Sequence, residues 1–195
     1  MNQTDQMVLE QAVRPLLAWY HENARILPWR QDPTPYRVWV SEIMLQQTRV
    51  SAVMPYFMRW MENLPTILAL SKAEEGLLLK LWEGLGYYNR VRNLQKAAKI
   101  VVEQYDGEMP SSYQELLTLP GIGEYTAGAI SSIAFGKNEV AVDGNVLRVI
   151  SRLLGSFQDI KLPKTKQMIQ QMLHAVLPSG EAGAFNQALM ELGAT

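Results

Sequence analysis

Cysteine is missing from all 195 residues, and histidine occurs only at His21 and His174. Without thiols the chain offers no disulfide, no thiolate zinc site and no ligand for an iron–sulfur cluster. The two histidines lie far apart in sequence, and a surface or capping role explains each better than metal ligation. A marked charge imbalance is also lacking: 18 Lys and Arg stand against 19 Asp and Glu, a net charge of -1. A nucleic-acid binder that works by bulk attraction would be basic. Any DNA contact here has to use local devices, such as backbone amides and helix ends. No apolar run approaches the ~18 residues of a membrane span. No basic segment leads into an apolar core at the start, so a signal peptide is not expected. The expectation is a soluble, cytoplasmic protein with no membrane attachment.

What is present is apolar residues in plenty, 48%, with only 19% charged. That composition suits a globular core, in one domain or two small lobes. The spacing of the apolar residues is helical. Ser71 with Glu74, and Ser112 with Glu115, read as capping boxes, and a leucine-rich run to Trp82 follows the first. Val91, Leu94, Ala98, Val101 and Val102 recur near period 3.6 between Asn89 and Tyr105, and Gly107 stops that helix. Helices are predicted from Asn145 to Leu154, ending at Gly155, from Pro163 to about Leu177, and from Glu181 to Leu192. Sustained two-residue alternation is absent, so the fold class is all-α, with about ten short helices.

The sharpest local signal is LPGIGEYTAGAI, residues 119–130. Gly121 and Gly123, two apart, permit a tight turn between two helices. Amides at the start of the second helix then point outwards, where they and the helix dipole can hold a phosphate without a lysine. Gly-x-Gly alone would fit an ordinary αα-hairpin. Leu119-Pro120 before it and Thr126-Ala127 after it favour a DNA-binding helix-hairpin-helix, like that of the endonuclease III superfamily.

Two carboxylates, far apart in sequence, stand out. Asp143 follows the hairpin in VAVDGNVLRVISRLLG, residues 140–155. It reads either as a helix N-cap or, if Asn145 caps the helix instead, as a side chain free to face a substrate. Glu42 lies in SEIMLQQTRV, residues 41–50, and shares a helix face with Val38 and Leu45. A glutamate among apolar neighbours has its neutral form favoured and can donate a proton near neutral pH.

The chain resembles the adenine DNA glycosylases of the MutY type along essentially its whole length. The resemblance rests on LPWR (27–30), SEIMLQQT (41–48), WEGLGYYNRVRNL (82–94), LPGIGEYTAGAI (119–130), VDGNVLRV (142–149) and FNQALMELGA (185–194), in the right order. It implies a helix-hairpin-helix DNA glycosylase fold: a six-helix barrel over 29–135, and a second helical lobe from 1–28 and 136–195, with a base-binding cleft between. It implies a monomer that acts on double-stranded DNA containing adenine mispaired with 8-oxoguanine or guanine. In that family Glu42 would protonate an extruded adenine at N7, and Asp143 would stabilise the oxocarbenium sugar. Tyr125 occupies the hairpin position at which bifunctional relatives carry a Schiff-base lysine, so the implied enzyme is monofunctional. Tyr125 would brace Asp143 or the sugar, and Asn145 would orient the aspartate.

The resemblance further assigns Trp29 and Arg30 to pocket and DNA contacts. Gln47, Thr48, Leu85, Gly86 and Tyr87 would enter the duplex and read the opposite base, with Tyr87 as an aromatic wedge. Gln187 would stand near the adenine. Trp19, Trp39, Trp60 and Trp82 read as core aromatics. A potassium or sodium ion is expected against the main-chain oxygens of Leu117, Leu119 and Ile122. Family members carry the four cysteines of a [4Fe-4S] cluster just past the position of Thr195, and then a domain that helps recognise 8-oxoguanine. A longer chain cut at this point is the expected explanation of their absence. Two alternatives remain: a thymine glycosylase for G·T mispairs, and a helix-hairpin-helix protein that binds DNA without chemistry.

Overall fold

Proline and short polar side chains set where the helices begin. A computed structural model describes residues 3–195. Among them are twelve helices: α1 Gln3–Asn23, α2 Pro28–Gln31, α3 Pro35–Leu45, α4 Val50–Asn63, α5 Ile67–Lys72, α6 Glu75–Trp82, α7 Asn89–Gln104, α8 Tyr113–Leu117, α9 Glu124–Phe135, α10 Gly144–Leu153, α11 Pro163–Val176 and α12 Ala182–Ala194. Pro28, Pro35 and Pro163 open their helices, where a missing N–H costs nothing. Thr34, Thr66, Ser112 and Asp143 cap α3, α5, α8 and α10 by accepting a first-turn amide. The helix over 89–104 stops as its period and Gly107 predict: Asp106 and Gly107 both turn left-handed, and the Gly107 amide closes on the Val101 carbonyl at 3.1 Å.

Ser71 does not open a capping box. It lies in the last turn of α5, where its hydroxyl donates to the Leu68 carbonyl at 2.8 Å, and Glu74 is the N-cap of α6. A serine three residues before a glutamate reads alike in sequence whether it starts one helix or ends another. Extra helices arise the same way, since α2 and α5 are too short to show a period. Among the described residues no helix is long and apolar enough to cross a membrane.

The chain divides into two compact units, Ile26–Ile130 and Met1–Arg25 with Ser131–Thr195, and the division falls inside α9. In the unit 26–130, Trp39, Phe57, Trp60 and Trp82 are fully buried. Trp60 meets Trp82 edge to face at 5.6 Å, and its indole N–H donates to the Tyr36 hydroxyl at 3.0 Å. That hydroxyl donates in turn to the Leu64 carbonyl at 2.8 Å, which ties α3 to the end of α4. Burial pushes the Tyr36 phenol well above its ordinary range, so it stays a neutral donor.

In the other unit, α1, α10, α11 and α12 share a core built on Leu16, Leu17, Ile150, Ile169, Leu173, Phe185 and Leu189. Trp19 packs against this core but is only partly buried, unlike the other three expected core tryptophans. Two buried polar side chains organise the unit. Glu191 is 1% exposed and takes a two-pronged ion pair from Arg25, whose guanidinium it holds more firmly protonated. Asn186 is fully buried on α12: it accepts from the Ala141 amide at 3.1 Å and donates to the Ser132 hydroxyl and the Glu139 carbonyl, each at 2.8 Å. The extended segment before Asp143 is thereby fixed to α12 and to the last turns of α9.

Close approach makes one glycine indispensable here. A Cβ at Gly183 would lie 2.6 Å from the backbone oxygen of Ser132. Gly183→Ala should therefore cost about 1–3 kcal/mol of stability by overpacking. Urea denaturation checks this, and an unchanged midpoint would show that α9 and α12 can part without loss.

Candidate active site

Glu42 sits in the middle of α3, 6% exposed, between Ser41 and Ile43, which are buried too. A carboxyl in such a place needs a donor. It has one in Tyr125, whose hydroxyl donates to Glu42 Oε2 at 2.6 Å. Tyr125 is the second residue of α9, so the hairpin helix delivers the phenol. The partner expected for Tyr125 was Asp143 or a sugar. Its position at the start of the hairpin helix brings it to Glu42 on α3.

The hairpin runs from the end of α8 at Leu117 to the start of α9 at Glu124. Only one of its two glycines is required by the backbone. Gly121 has φ 82°, and a Cβ there would lie 3.0 Å from Asn93 Cβ on α7. Gly123 is not left-handed, and a Cβ on it would project into open space. Open space beside the start of a helix leaves room for a group to reach its first-turn amides, which lack helix acceptors. The Leu119 carbonyl accepts the Ile122 amide at 3.1 Å across the turn.

A second polar face is built by the turn between α6 and α7. Gly86 and Tyr87 are both left-handed, at φ 70° and 47°, and Tyr87 is 68% exposed. A non-glycine residue in that region is strained, and the turn needs an anchor. Arg90 supplies it. Its guanidinium donates to the carbonyls of Ile43, Met44 and Gln46 at the end of α3, and to those of Leu85 and Gly86 in the turn, over 2.7 to 3.3 Å. Burial lowers the tendency of Arg90 to hold its proton, whereas at Arg25 the bond to Glu191 outweighs burial. Gln47 is left-handed and exposed, and it lines a concavity of about 370 Å³ with Gln46, Tyr87, Tyr88, Asn89 and Arg90. Thr48 stands beside it, its hydroxyl donating to the Gln46 carbonyl at 3.3 Å. Gln47 and Tyr87, expected to act together, thus share one surface.

Leu85, expected to enter the duplex, and Trp29, expected at the pocket and DNA, are both buried. Leu85 is 6% exposed, and Trp29 is 6% exposed with its ring edge-on to Phe57 at 5.3 Å. Both are large apolar groups, and the core claims them. Arg30, next to Trp29, is half-buried in α2.

Asp143 belongs to the other unit and caps α10. Its Oδ1 accepts from the Val146 amide at 2.8 Å and its Oδ2 from the Asn145 side chain at 2.9 Å. Asn145 is therefore not the cap; it holds the cap's second oxygen, as an orienting role requires. Arg148 donates to Asn145 Oδ1 at 2.7 Å and to the Gly193 carbonyl. Because a donor faces Oδ1, the amide cannot flip, and its N–H stays on Asp143. Gly193 must be glycine, since a Cβ there would lie 2.6 Å from Asn145 Cβ. Gln187 is half-buried on α12 and donates to the Gly183 carbonyl at 3.3 Å. Sequence reasoning gave no role to Arg90, Arg148 or Asn186. All three stand inside the motifs it quoted, but most of their partners are backbone groups, which no residue type in the sequence marks.

Residues 40–178 match the family model described as HhH-GPD superfamily base excision DNA repair protein. The chain is 45% identical over 189 residues to a human protein named adenine DNA glycosylase, covering 92% of this chain and 35% of that protein. It is 41% identical over 181 residues to an adenine DNA glycosylase of Buchnera aphidicola (subspecies Acyrthosiphon pisum), covering 92% of this chain and 52% of the relative. It thus spans about half or less of the length of these relatives. A solved structure of a thermostable thymine-DNA glycosylase superposes with a TM-score of 0.86 at 27% identity, covering 96% of this chain and 86% of the other.

The Arg90 anchor can be tested directly. Lysine keeps the charge but offers one ammonium in place of a planar fork. Arg90→Lys should lose about 2–4 kcal/mol of stability, the scale of breaking a buried hydrogen-bond network. Chemical denaturation reads the loss, and a change below half a kcal/mol, about the scale of a neutral surface substitution, would show that the turn holds itself.

Proposed function

This chain belongs to the HhH-GPD superfamily of base excision DNA repair proteins, and from that premise we propose that it is a monofunctional adenine DNA glycosylase. Its substrate would be double-stranded DNA with adenine opposite 8-oxoguanine or guanine. The names of relatives at 41–45% identity support the choice of base. The observation that carries the chemistry is the buried Glu42 held by the Tyr125 phenol.

The proposed reaction begins with extrusion of the adenine, which is cheapest at a mispair. Glu42, held by the phenol, delivers its carboxyl proton to N7. The C1′–N9 bond breaks, its electron pair leaves with the protonated base, and the sugar acquires oxocarbenium character. The Asp143 carboxylate stabilises that cation as a fixed charge or by a transient bond to C1′. Its two oxygens are pinned by Val146 and Asn145, so little reorganisation is needed. Water then adds to C1′, displacing the Asp143 carboxylate where that bond has formed, and its proton returns to Glu42. Tyr125 has no amine, so no Schiff base forms at the hairpin position.

The groups expected beyond the protein fit unequally. A [4Fe-4S] cluster needs thiolates, and these 195 residues include none, so they cannot hold one. A potassium or sodium ion needs only oxygen ligands, which the hairpin carbonyls of Leu117, Leu119 and Ile122 would supply, that of Leu119 while also accepting the Ile122 amide at 3.1 Å. Such an ion would lend the hairpin positive charge toward a phosphate. The work would take place in the cytoplasm, on nucleoid DNA.

A second reading, thymine release from T·G mispairs, is favoured by the likeness to the thymine-DNA glycosylase structure. Incubation with A·8-oxoguanine, A·G and T·G duplexes, with chromatography of the freed base, separates the readings. Adenine should be released, and Glu42→Gln should slow its release at least ~100-fold while the duplex stays bound. Release of thymine would establish the second reading. Binding without release of any base would leave a DNA-binding protein without chemistry.

A further inference from the structure

The α6–α7 turn is concave on two sides. One side is the concavity of Gln46, Gln47 and Tyr87 already described. The other, of about 390 Å³, is lined by Leu79, Lys80, Glu83, Tyr88 and Arg92. Tyr88 lines both and forms the ridge between them. It is 38% exposed, with its ring part of the surface. Nothing in the reaction above uses the second concavity.

Its chemistry is that of a nucleotide subsite. The concavity is a shallow, open depression that a nucleic-acid backbone can cross. Lys80 is exposed, and no ion pair holds its ammonium among the described residues. Arg92 donates to Glu75 at 2.9 Å, but both side chains are about half exposed, and such a pair exchanges readily for a phosphate. Glu83 is the one acid in the lining, so cations outnumber it. Tyr88 is also the N-cap of α7 and makes no side-chain cap bond, so the positive end of a 16-residue helix opens beside the ridge. Leu79 and the Tyr88 ring supply an apolar wall.

We propose that this concavity binds a phosphodiester and its attached base in the strand opposite the adenine, one step beyond the nucleotide met by Gln47 and Tyr87. The proposal rests on the reading of the chain as a DNA glycosylase whose Gln47–Tyr87 face meets the opposite base. Lys80 and Arg92 contact the phosphate, and Tyr88 separates the two nucleotides. It gives a chain of net charge -1 a local cationic hold on that strand.

Salt dependence tests it. The chain carrying Glu42→Gln, so that no base is lost, is titrated with an A·8-oxoguanine duplex by fluorescence anisotropy, from about 50 to 200 mM salt. Each phosphate contact removed should reduce the slope of log K against log salt by about 0.9. Lys80→Ala should show that reduction and several-fold weaker binding. Lys99→Ala on α7, outside the concavity, should keep the parent slope. Uncharged methylphosphonate linkages beside 8-oxoguanine should erase the Lys80 effect, and the same linkages in the adenine strand should leave it. A Lys80 variant with the parent slope and affinity overturns the subsite, as does a Lys99 variant that loses as much. Erasure by adenine-strand linkages alone overturns the strand assignment. A parent that fails to bind the duplex overturns the glycosylase reading and the subsite together; binding by the parent with an unaltered Lys80 variant overturns the subsite alone.

Discussion

A carboxyl group buried among aliphatic and aromatic side chains persists only if something donates to it. For Glu42 that donor is the Tyr125 phenol, 83 residues away in sequence. The bond requires the start of the hairpin helix to face the middle of α3. Gly121 lets the hairpin lie against Asn93 on α7, and Arg90, one turn earlier on α7, grips the last carbonyls of α3. The three elements close on one another, so the carboxyl is held in a framework with little freedom. The strained turn at Tyr87 hangs on the same arginine. Glu42 and Tyr87 are thus parts of one packed unit rather than features of separate loops.

Asp143 is held by different means. It is the cap of a helix, accepts at both oxygens, and sits behind a chain of donors that runs through Asn145 to Arg148 and the last turn of α12. Asn186 fixes the extended segment that leads to it. One carboxyl is enclosed beside a phenol, and the other is half-buried at a helix N-terminus. Contrasting environments of this kind are what separate an acid from a stabilising counter-charge in glycoside hydrolysis.

Much of this was legible in the sequence because it depends on local rules. Periodicity located α7, α10, α11 and α12 to within a few residues, and Pro163, Gly107 and Gly155 marked their limits correctly. The motifs placed Glu42 on a helix and Tyr125 at the hairpin. Illegible features are those decided by what lies across space. Nothing at Ser71 says that it ends a helix. Trp29 and Leu85 stand in motifs expected to meet DNA, yet each is claimed by the core. Tyr125 was expected to brace Asp143 or the sugar, and its bond to Glu42, 83 residues away, has no mark in the sequence. Asp143 and Asn145 could each have been the cap, and the Val146 amide on Asp143 Oδ1 decides between them.

The central claim is that Glu42 drives departure of the base by protonating adenine at N7. The most direct measurement replaces the acceptor and leaves the protein intact. A duplex carrying 7-deazaadenine opposite 8-oxoguanine keeps the pairing edge and the shape of the base, but has carbon where N7 would accept the proton. Single-turnover assays should show it bound as tightly as the adenine duplex and the base not released. Release of 7-deazaadenine at a rate near that of adenine would contradict the account, because the bond would then break without the proton that Glu42 is there to give.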